Sequence, residues 1–339
     1  MGWHAKKTEE IKRAAADAQA LNVLAKGGRS FFWASHFFGR ETAYNAAHLY
    51  QFCRMLDDLA DGDIANGPAR LAAIQAQLER LSKGKAIAET DPALSAFLPV
   101  MKACRVPIMP LLHLLEGLLF DQGEVAIASE DELIQYAYQV AGTVGLLMCP
   151  ILGCRNKHAL SFAVDMGIAM QLTNIARDVL EDAKMGRRYL PAKWVENLDP
   201  QDICAAARHP QGAEALAITT AIDRLLHLAD SYYESGQRGL VYLPLRAHIA
   251  IAVAANVYRA IGQKLRRHQL NWTKGRVVTN GTEKTLVSLA ASASLAARAH
   301  RKPLYQAGLQ SALKDYFKVQ DYFSGRYYFS EQDYPGADR

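Results

Sequence analysis

The chain is poor in the features that would place it outside the cell or on a nucleic acid. Its five cysteines (Cys53, Cys104, Cys149, Cys154 and Cys204) are odd in number and make no CxxC or CxxxH spacing, which excludes a disulfide framework and a zinc knuckle. They read as buried thiols in a reducing compartment. Lys and Arg never gather into a long run, and the formal charge is only +5, so no nucleic-acid partner is expected. The opening residues, MGWHAKKTEEIKRAAADAQAL, mix charges without an apolar centre and do not read as a signal peptide; the Ser or Thr of a myristoylation signal is missing at position 6. Only Leu133 to Cys154 is free of formal charge over a membrane-spanning length, and Gln135, Gly142, Thr143, Gly145 and Pro150 interrupt it. A buried, kinked helix is the expectation there. The chain therefore reads as cytoplasmic, with at most a peripheral membrane contact.

Runs of alternating, β-branched residues are also lacking, as are linkers: the 12 prolines and 23 glycines are scattered, and no low-complexity stretch divides the 339 residues. What remains is one large domain with half its residues apolar, recurring at helical spacing. Helix breaks are expected at Gly27-Gly28, Gly62 to Pro68, Arg105 to Pro110, Pro150 to Asn156, Gly186 to Pro191 and His209 to Gly212. Ser129 followed by Glu132 is a capping box opening the helix through Tyr136. From Lys314 onward, Tyr, Phe and charge follow no clear period and form a weakly defined tail.

Two helices carry the informative residues. In TAYNAAHLYQFCRMLDDLAD, Ala47, Tyr50, Arg54, Asp57 and Asp61 fall within an arc of about 80° at helical pitch. In AVDMGIAMQLTNIARDVLEDA, Gln171, Asn174, Asp178 and Asp182 do the same within about 80°. A wet amphipathic face is the ordinary explanation of such a stripe. Here the apolar residues cover most of each circumference, like charges one turn apart work against the helix, and the pattern occurs twice. A narrow acidic stripe on a buried helix must face a cavity and needs a cation. With oxygen donors and neither His nor Cys in the stripes, magnesium or manganese fits better than zinc, completed by substrate phosphate. Arg54, Arg177, Arg187 and Arg188 are close enough in sequence to join a diphosphate clamp; Arg177 points off the stripe and is alternatively a neutralising partner.

At these residues the chain resembles the squalene/phytoene synthase family. The run GGRSFFWASHFFGRETAYNAAHLYQFCRMLDDLAD resembles its first aspartate region, YAYQVAGTVGLLMCPILG its central lining segment and QLTNIARDVLEDAKMGRRYLP its second aspartate region; GLVYLP and AANVYRAI fit its late helices. The likeness spans about Arg29 to Arg276. It implies an all-α, single-domain isoprenoid-synthase helical bundle around a central catalytic cavity, with residues 1–28 as an N-terminal helical extension, 29–313 as the catalytic domain and 314–339 as the tail. It further implies that Asp57, Asp61, Asn174, Asp178 and Asp182 hold magnesium. Arg29, Ser30, Tyr50, Arg54, Arg177 and Arg276 would meet isoprenyl diphosphates. Phe31, Tyr136, Val140, Ala141, Val144, Gly145, Gln171 and Tyr258 would line the prenyl chamber.

The implied reaction is head-to-head condensation of two such diphosphates. With Phe31 and Tyr50 in the chamber wall, Ser35 and Ala47 lie one turn further from the aspartates, and both are small. The tunnel should extend beneath them, favouring C20 donors and phytoene over C15 donors, unless Phe37 or Trp33 closes the floor. NADPH is expected only if squalene is the product; no GxGxxG follows a strand. A head-to-tail prenyltransferase or terpene cyclase would show DDxxD, which Asp57-Asp58 imitates and DVLED does not. An inactive isoprenoid-binding subunit would have no use for mutually repelling carboxylates.

Overall fold

Helix ends fall where the sequence supplies breakers and caps. The computed structural model describes residues 2–318 apart from 88, 278–280, 300–302 and 306; the tail beyond residue 318 lies outside the described residues. Helix α1 (Gly2–Gly27) stops at the Gly27-Gly28 pair, and α2 (Arg29–Ser35) leads into α3 (Arg40–Ala60), the first aspartate helix. Asn66 in a left-handed conformation and a proline in the first turn start α4 (Gly67–Ser82). Helices α5 (Pro92–Cys104) and α6 (Met109–Phe120) complete the N-terminal half. Ser129 caps α7 (Glu130–Ala137), its Oγ accepting from the Glu132 amide at 3.2 Å. The Glu132 carboxylate reaches one residue further back than a simple capping box requires and accepts from the Ala128 amide at 2.7 Å.

From α7 the chain runs through a π-helical turn (Tyr138–Gly142) into α8 (Thr143–Ile151). A π turn is rare and needs tertiary support. The stretch read as a kinked buried helix is therefore helical as far as Ile151, with the wide turn in its middle and Pro150 near its end. Helix α9 (Ala159–Lys184), the second aspartate helix, is followed by α10 (Pro200–Ala206), α11 (Ala213–Arg238), α12 (Leu245–Arg267) and α13 (Gly281–Ala291). Two-residue strands β1 (Val125–Ala126) and β2 (Arg187–Arg188) pair in parallel.

Helix α9 is apolar and long enough to cross a membrane, but 83% of its apolar window is buried inside the fold, so it reads as a core helix. Around it one cluster of buried side chains gathers α7, α10, α11 and α12; a second gathers α3 to α6 with Leu147 and Ile151 of α8. The aspartate helices thus anchor different halves of the core and face each other across the space between.

Helix α1 is part of this packing. Ala20 and Leu24 cover Ala47 of α3, which is 0% exposed, and Asp17 pairs with His48 at 2.8 Å. Close approach of α9 to the π turn depends on Gly167, where a Cβ would lie 2.2 Å from the Ala141 carbonyl oxygen. Gly167→Ala is expected to push these elements apart at a cost of about 1–3 kcal/mol, the range for overpacking a tight core, read as a lower denaturation midpoint at unchanged helical content.

Candidate functional site

The open ends of both acidic stripes meet in one cavity of about 160 Å³. Arg54 and Asp57 of α3 and Asp61 at its C-terminal cap line it, with Gln171, Asn174 and Asp182 from α9. Tyr136 of α7 and Arg187 of β2 join them, together with two residues that sequence reasoning missed, Asp121 and Tyr189.

Electrostatics at this cavity are unbalanced toward negative charge. Burial pushes Asp57 up to about 7, with Arg54 opposing and the Asp61 and Asp58 carboxylates adding to the rise. It pushes Asp182 up to about 8, with help from Asp178 and against the pull of Arg187. Such carboxylates resist ionising unless a cation arrives. Asn174 adds an unsatisfied acceptor: its Oδ1 is buried without a partner, while its Nδ2 donates to Gln171 at 3.3 Å. All these donors are oxygens, the set a hard divalent cation prefers. Among the described residues no three His, Cys, Asp or Glu side chains stand close enough to cage a metal unaided. A cation here would need ligands from elsewhere, as magnesium does when phosphate completes its shell.

Arginines divide into those at the cavity and those spent on structure. Arg187 donates to Asp61 at 2.9 Å and so joins the region after α9 to the end of α3. Arg54 pairs with Asp58 one turn along α3 at 2.5 Å while lining the cavity. Asp178 sits outside the cavity lining, forked by Arg177 and by Arg276 at 2.8 and 2.7 Å. Burial opposes its ionisation, but the two guanidiniums outweigh it and hold the carboxyl below its ordinary value. Arg177 is therefore the neutralising partner that its position off the stripe allowed. Arg188 does not join a clamp: its buried guanidinium donates to the Ile127 and Leu190 carbonyls at 2.8 and 2.6 Å and fixes the turn after β2.

Asp121 follows α6 and accepts from the Tyr136 and Tyr189 hydroxyls, both at 2.8 Å, while the two rings stack with centroids 4.8 Å apart. Burial pushes its carboxyl up to about 6. Tyr136 accordingly presents a polar, hydrogen-bonded edge to the cavity as well as an aromatic wall.

Of the residues expected to wall a prenyl chamber, Tyr136 and Gln171 line this cavity, while Phe31, Val140, Ala141, Val144, Gly145 and Tyr258 lie outside its lining. Phe31 lies 6.5 Å from the Tyr50 ring and 5.2 Å from the Tyr258 ring of α12, bringing α2, α3 and α12 together. Val140 and Ala141, on the π turn, and Val144 keep part of their surface accessible. Gly145 serves helix packing, since a Cβ there would meet the Ala163 carbonyl oxygen at 2.2 Å. Arg29 is exposed, its carbonyl accepting from Lys284 of α13 at 3.3 Å, and Ser30 beside it is partly buried.

The expected opening beneath Ser35 and Ala47 is not found. Ala47 is sealed by Ala20 and Leu24 of α1, and Ser35 is buried with its hydroxyl on the Phe32 carbonyl at 2.8 Å. Neither side chain suspected of closing the floor does so: Phe37 is exposed, and the Trp33 indole donates to Ser288 of α13 at 3.0 Å. Space-filling from α2 and α3 alone could not include a helix packed from outside.

The profile of the squalene/phytoene synthase family matches residues 24–283. The chain belongs to this family. It is 36% identical to a 15-cis-phytoene synthase of Pantoea ananas over 295 residues, 84% of this chain and 94% of that one. It is 38% identical to a phytoene synthase of Thermus thermophilus over 251 residues, 73% and 82% of the two chains. Among solved structures, a dehydrosqualene synthase bound to a ligand superposes with a TM-score of 0.72 at 26% identity, covering 84% of this chain and 98% of that one. The squalene/phytoene synthase bundle is thus the fold.

Tyr50 is held by the glycine pair ending α1: a Cβ on Gly28 would lie 2.8 Å from its ring. Burial pushes its hydroxyl up to about 12. Gly28→Ala is expected to displace the ring and lower turnover by about tenfold or more, the scale of a sub-ångström misplacement, with circular dichroism unchanged.

Proposed function

We propose that the chain is a phytoene synthase, joining two geranylgeranyl diphosphates head to head with release of two diphosphates. The convergence of both aspartate helices on one cavity, with Asn174 Oδ1 unpartnered inside it, carries this reading. Two 15-cis-phytoene synthases, 36% and 37% identical to the chain over 94% and 91% of their own lengths, support the C20 donor.

In this reading Asp57, Asp61, Asn174 and Asp182 would hold magnesium, and Asp178 would join them once substrate draws Arg177 and Arg276 away from it. Once bound, the metal supplies neutralisation of diphosphate charge, without which the group leaves poorly. Arg54, Arg29 and Ser30 would orient the two diphosphates, joined by Arg177 and Arg276 when they exchange Asp178 for phosphate oxygens. The first donor ionises to an allylic cation, which the 2,3-double bond of the second attacks; loss of a proton gives a cyclopropylcarbinyl diphosphate. A second ionisation, rearrangement and proton loss yield the linear hydrocarbon. Phe31, Val140, Ala141, Val144, Gly145 and Tyr258 exclude the water that would quench these cations, and aromatic faces stabilise them. Tyr136 and Gln171 stand where the apolar wall meets the diphosphate end, and Tyr50 or the released diphosphate accepts the proton.

A C15 reading, giving squalene or dehydrosqualene, has one observation in its favour: α1 seals the floor at Ala47. NADPH would be needed only for squalene. On the same reading the chain works in the cytoplasm and touches the membrane peripherally to hand over an apolar product; sedimentation with lipid vesicles only when product-forming substrates are present is the expected result, and none under any condition would reject the membrane contact.

Purified protein with magnesium and geranylgeranyl diphosphate, without NADPH, is expected to yield a C40 hydrocarbon by mass spectrometry. A C30 product from farnesyl diphosphate alone would retain the family and reject the donor assignment; no hydrocarbon from either would reject the enzyme reading. Magnesium with inorganic diphosphate should stabilise the wild type by about 2–3 kcal/mol at a hundredfold excess over its dissociation constant. Asp57→Asn and Asp182→Asn should each remove most of that thermal shift, whereas retention of the shift would take these residues out of the metal site.

A further inference from the structure

Asp165 is a carboxylate the cavity does not use. It lies on α9, nine residues before Asn174, which at helical pitch places it about 180° around the helix from that residue. It is 0% exposed, and the groups that bond it are neutral: Ser235 of α11 at 2.5 Å, and Tyr305 and Gln310 of the C-terminal segment at 3.1 and 2.8 Å. Burying a carboxylate among neutral donors is costly, so a gain elsewhere must offset it.

The C-terminal segment that Asp165 grips touches the elements behind the chamber in turn. The Pro303 carbonyl accepts from the Tyr242 hydroxyl and the Leu309 carbonyl from Tyr232 of α11 at 2.6 Å. Gln310 also donates to the Ser161 carbonyl of α9 at 3.0 Å, and the Ala312 carbonyl accepts from Gln135 of α7 at 3.1 Å. Leu313 and Phe317 are buried, and the Tyr316 and Phe317 rings stand 6.3 and 6.0 Å from Tyr138, the first residue of the π turn. Tyr138 in turn meets His113 of α6 at 3.0 Å. Two and three residues on are Val140 and Ala141, which the function proposed above assigns to the chamber wall. The π turn has poor intrinsic stability and holds its shape through such contacts. The family match ends at residue 283, so this segment lies beyond it.

We propose that Asp165 is a positioning residue that clasps the C-terminal segment across α7, the π turn, α9 and α11, and so fixes the chamber wall during the second half of the reaction. The proposal rests on the head-to-head reading above. A loosened wall would let the cyclopropylcarbinyl diphosphate escape or meet water before it rearranges, whereas a merely destabilised protein would lose both half-reactions together.

The test uses full-length Asp165→Ala, Tyr305→Phe, Gln310→Ala and Asp165→Asn. The last keeps an acceptor for Tyr305 and Gln310 and can donate to Ser235. The ratio of cyclopropylcarbinyl diphosphate to hydrocarbon is measured by mass spectrometry, and amide hydrogen exchange is followed over residues 138–142. Asp165→Ala is expected to raise the ratio by about tenfold, the scale of a positioning loss short of a full ångström. Tyr305→Phe and Gln310→Ala should raise it in the same direction, exchange over 138–142 should quicken, and Asp165→Asn should restore both. An unchanged ratio, with turnover falling only in step with the folded fraction, would overturn the proposal, as would exchange over 138–142 that ignores the substitutions. If the wild type forms neither product, the function reading fails by itself, and the exchange measurement still decides whether the clasp holds the turn.

Discussion

Like-charged carboxylates facing one another across a cavity set the conditions for the rest of this molecule. Asp57 on α3 and Asp182 on α9 are both driven toward the protonated form by burial, and each is opposed by an arginine, Arg54 and Arg187 respectively. Neither helix could hold its stripe in that position by helix propensity alone, because adjacent like charges weaken a helix. The two core clusters supply the restraint, one seating α3 among α4 to α6 and the other seating α9 among α10 to α12. The cavity is where these clusters leave a gap.

Around that gap the polar groups are arranged by distance from solvent. Arg187 bridges to Asp61 at the rim, while Asp178 is already neutralised by two arginines outside the lining. Asp121 brings Tyr136 and Tyr189 to the opposite side through charge-assisted hydrogen bonds. The carboxylates at the centre are left for a cation that the protein does not itself provide. That division suits a site where substrate brings phosphate oxygens and the protein contributes few ligands per ion.

The stripes were legible because helical periodicity is local: a residue's face follows from its number, and both runs are long. Of the apolar wall expected from the resemblance to a family, Tyr136 lines the cavity, while Val140 and Ala141 of the same segment do not. Asp121 was not legible, since a lone aspartate in the turn after α6 has no partner in sequence and acquires its tyrosines only through the fold. Arg188 looked like a clamp residue beside Arg187, yet adjacent side chains on a strand point to opposite faces, and its face is the one packed against backbone carbonyls.

What the sequence determined by itself was the helical class, the places where helices stop and the two acidic faces, because each depends on residues within a few turns of one another. Tertiary structure decided where the stripes end. Helix α1, read only as an extension, covers Ala47 and cups Tyr50 with its terminal glycines, and Asp165 finds partners 140 and 145 residues away. Contacts over such separations cost loop-closure entropy and are fixed by the packing of whole helices, so no local pattern encodes them.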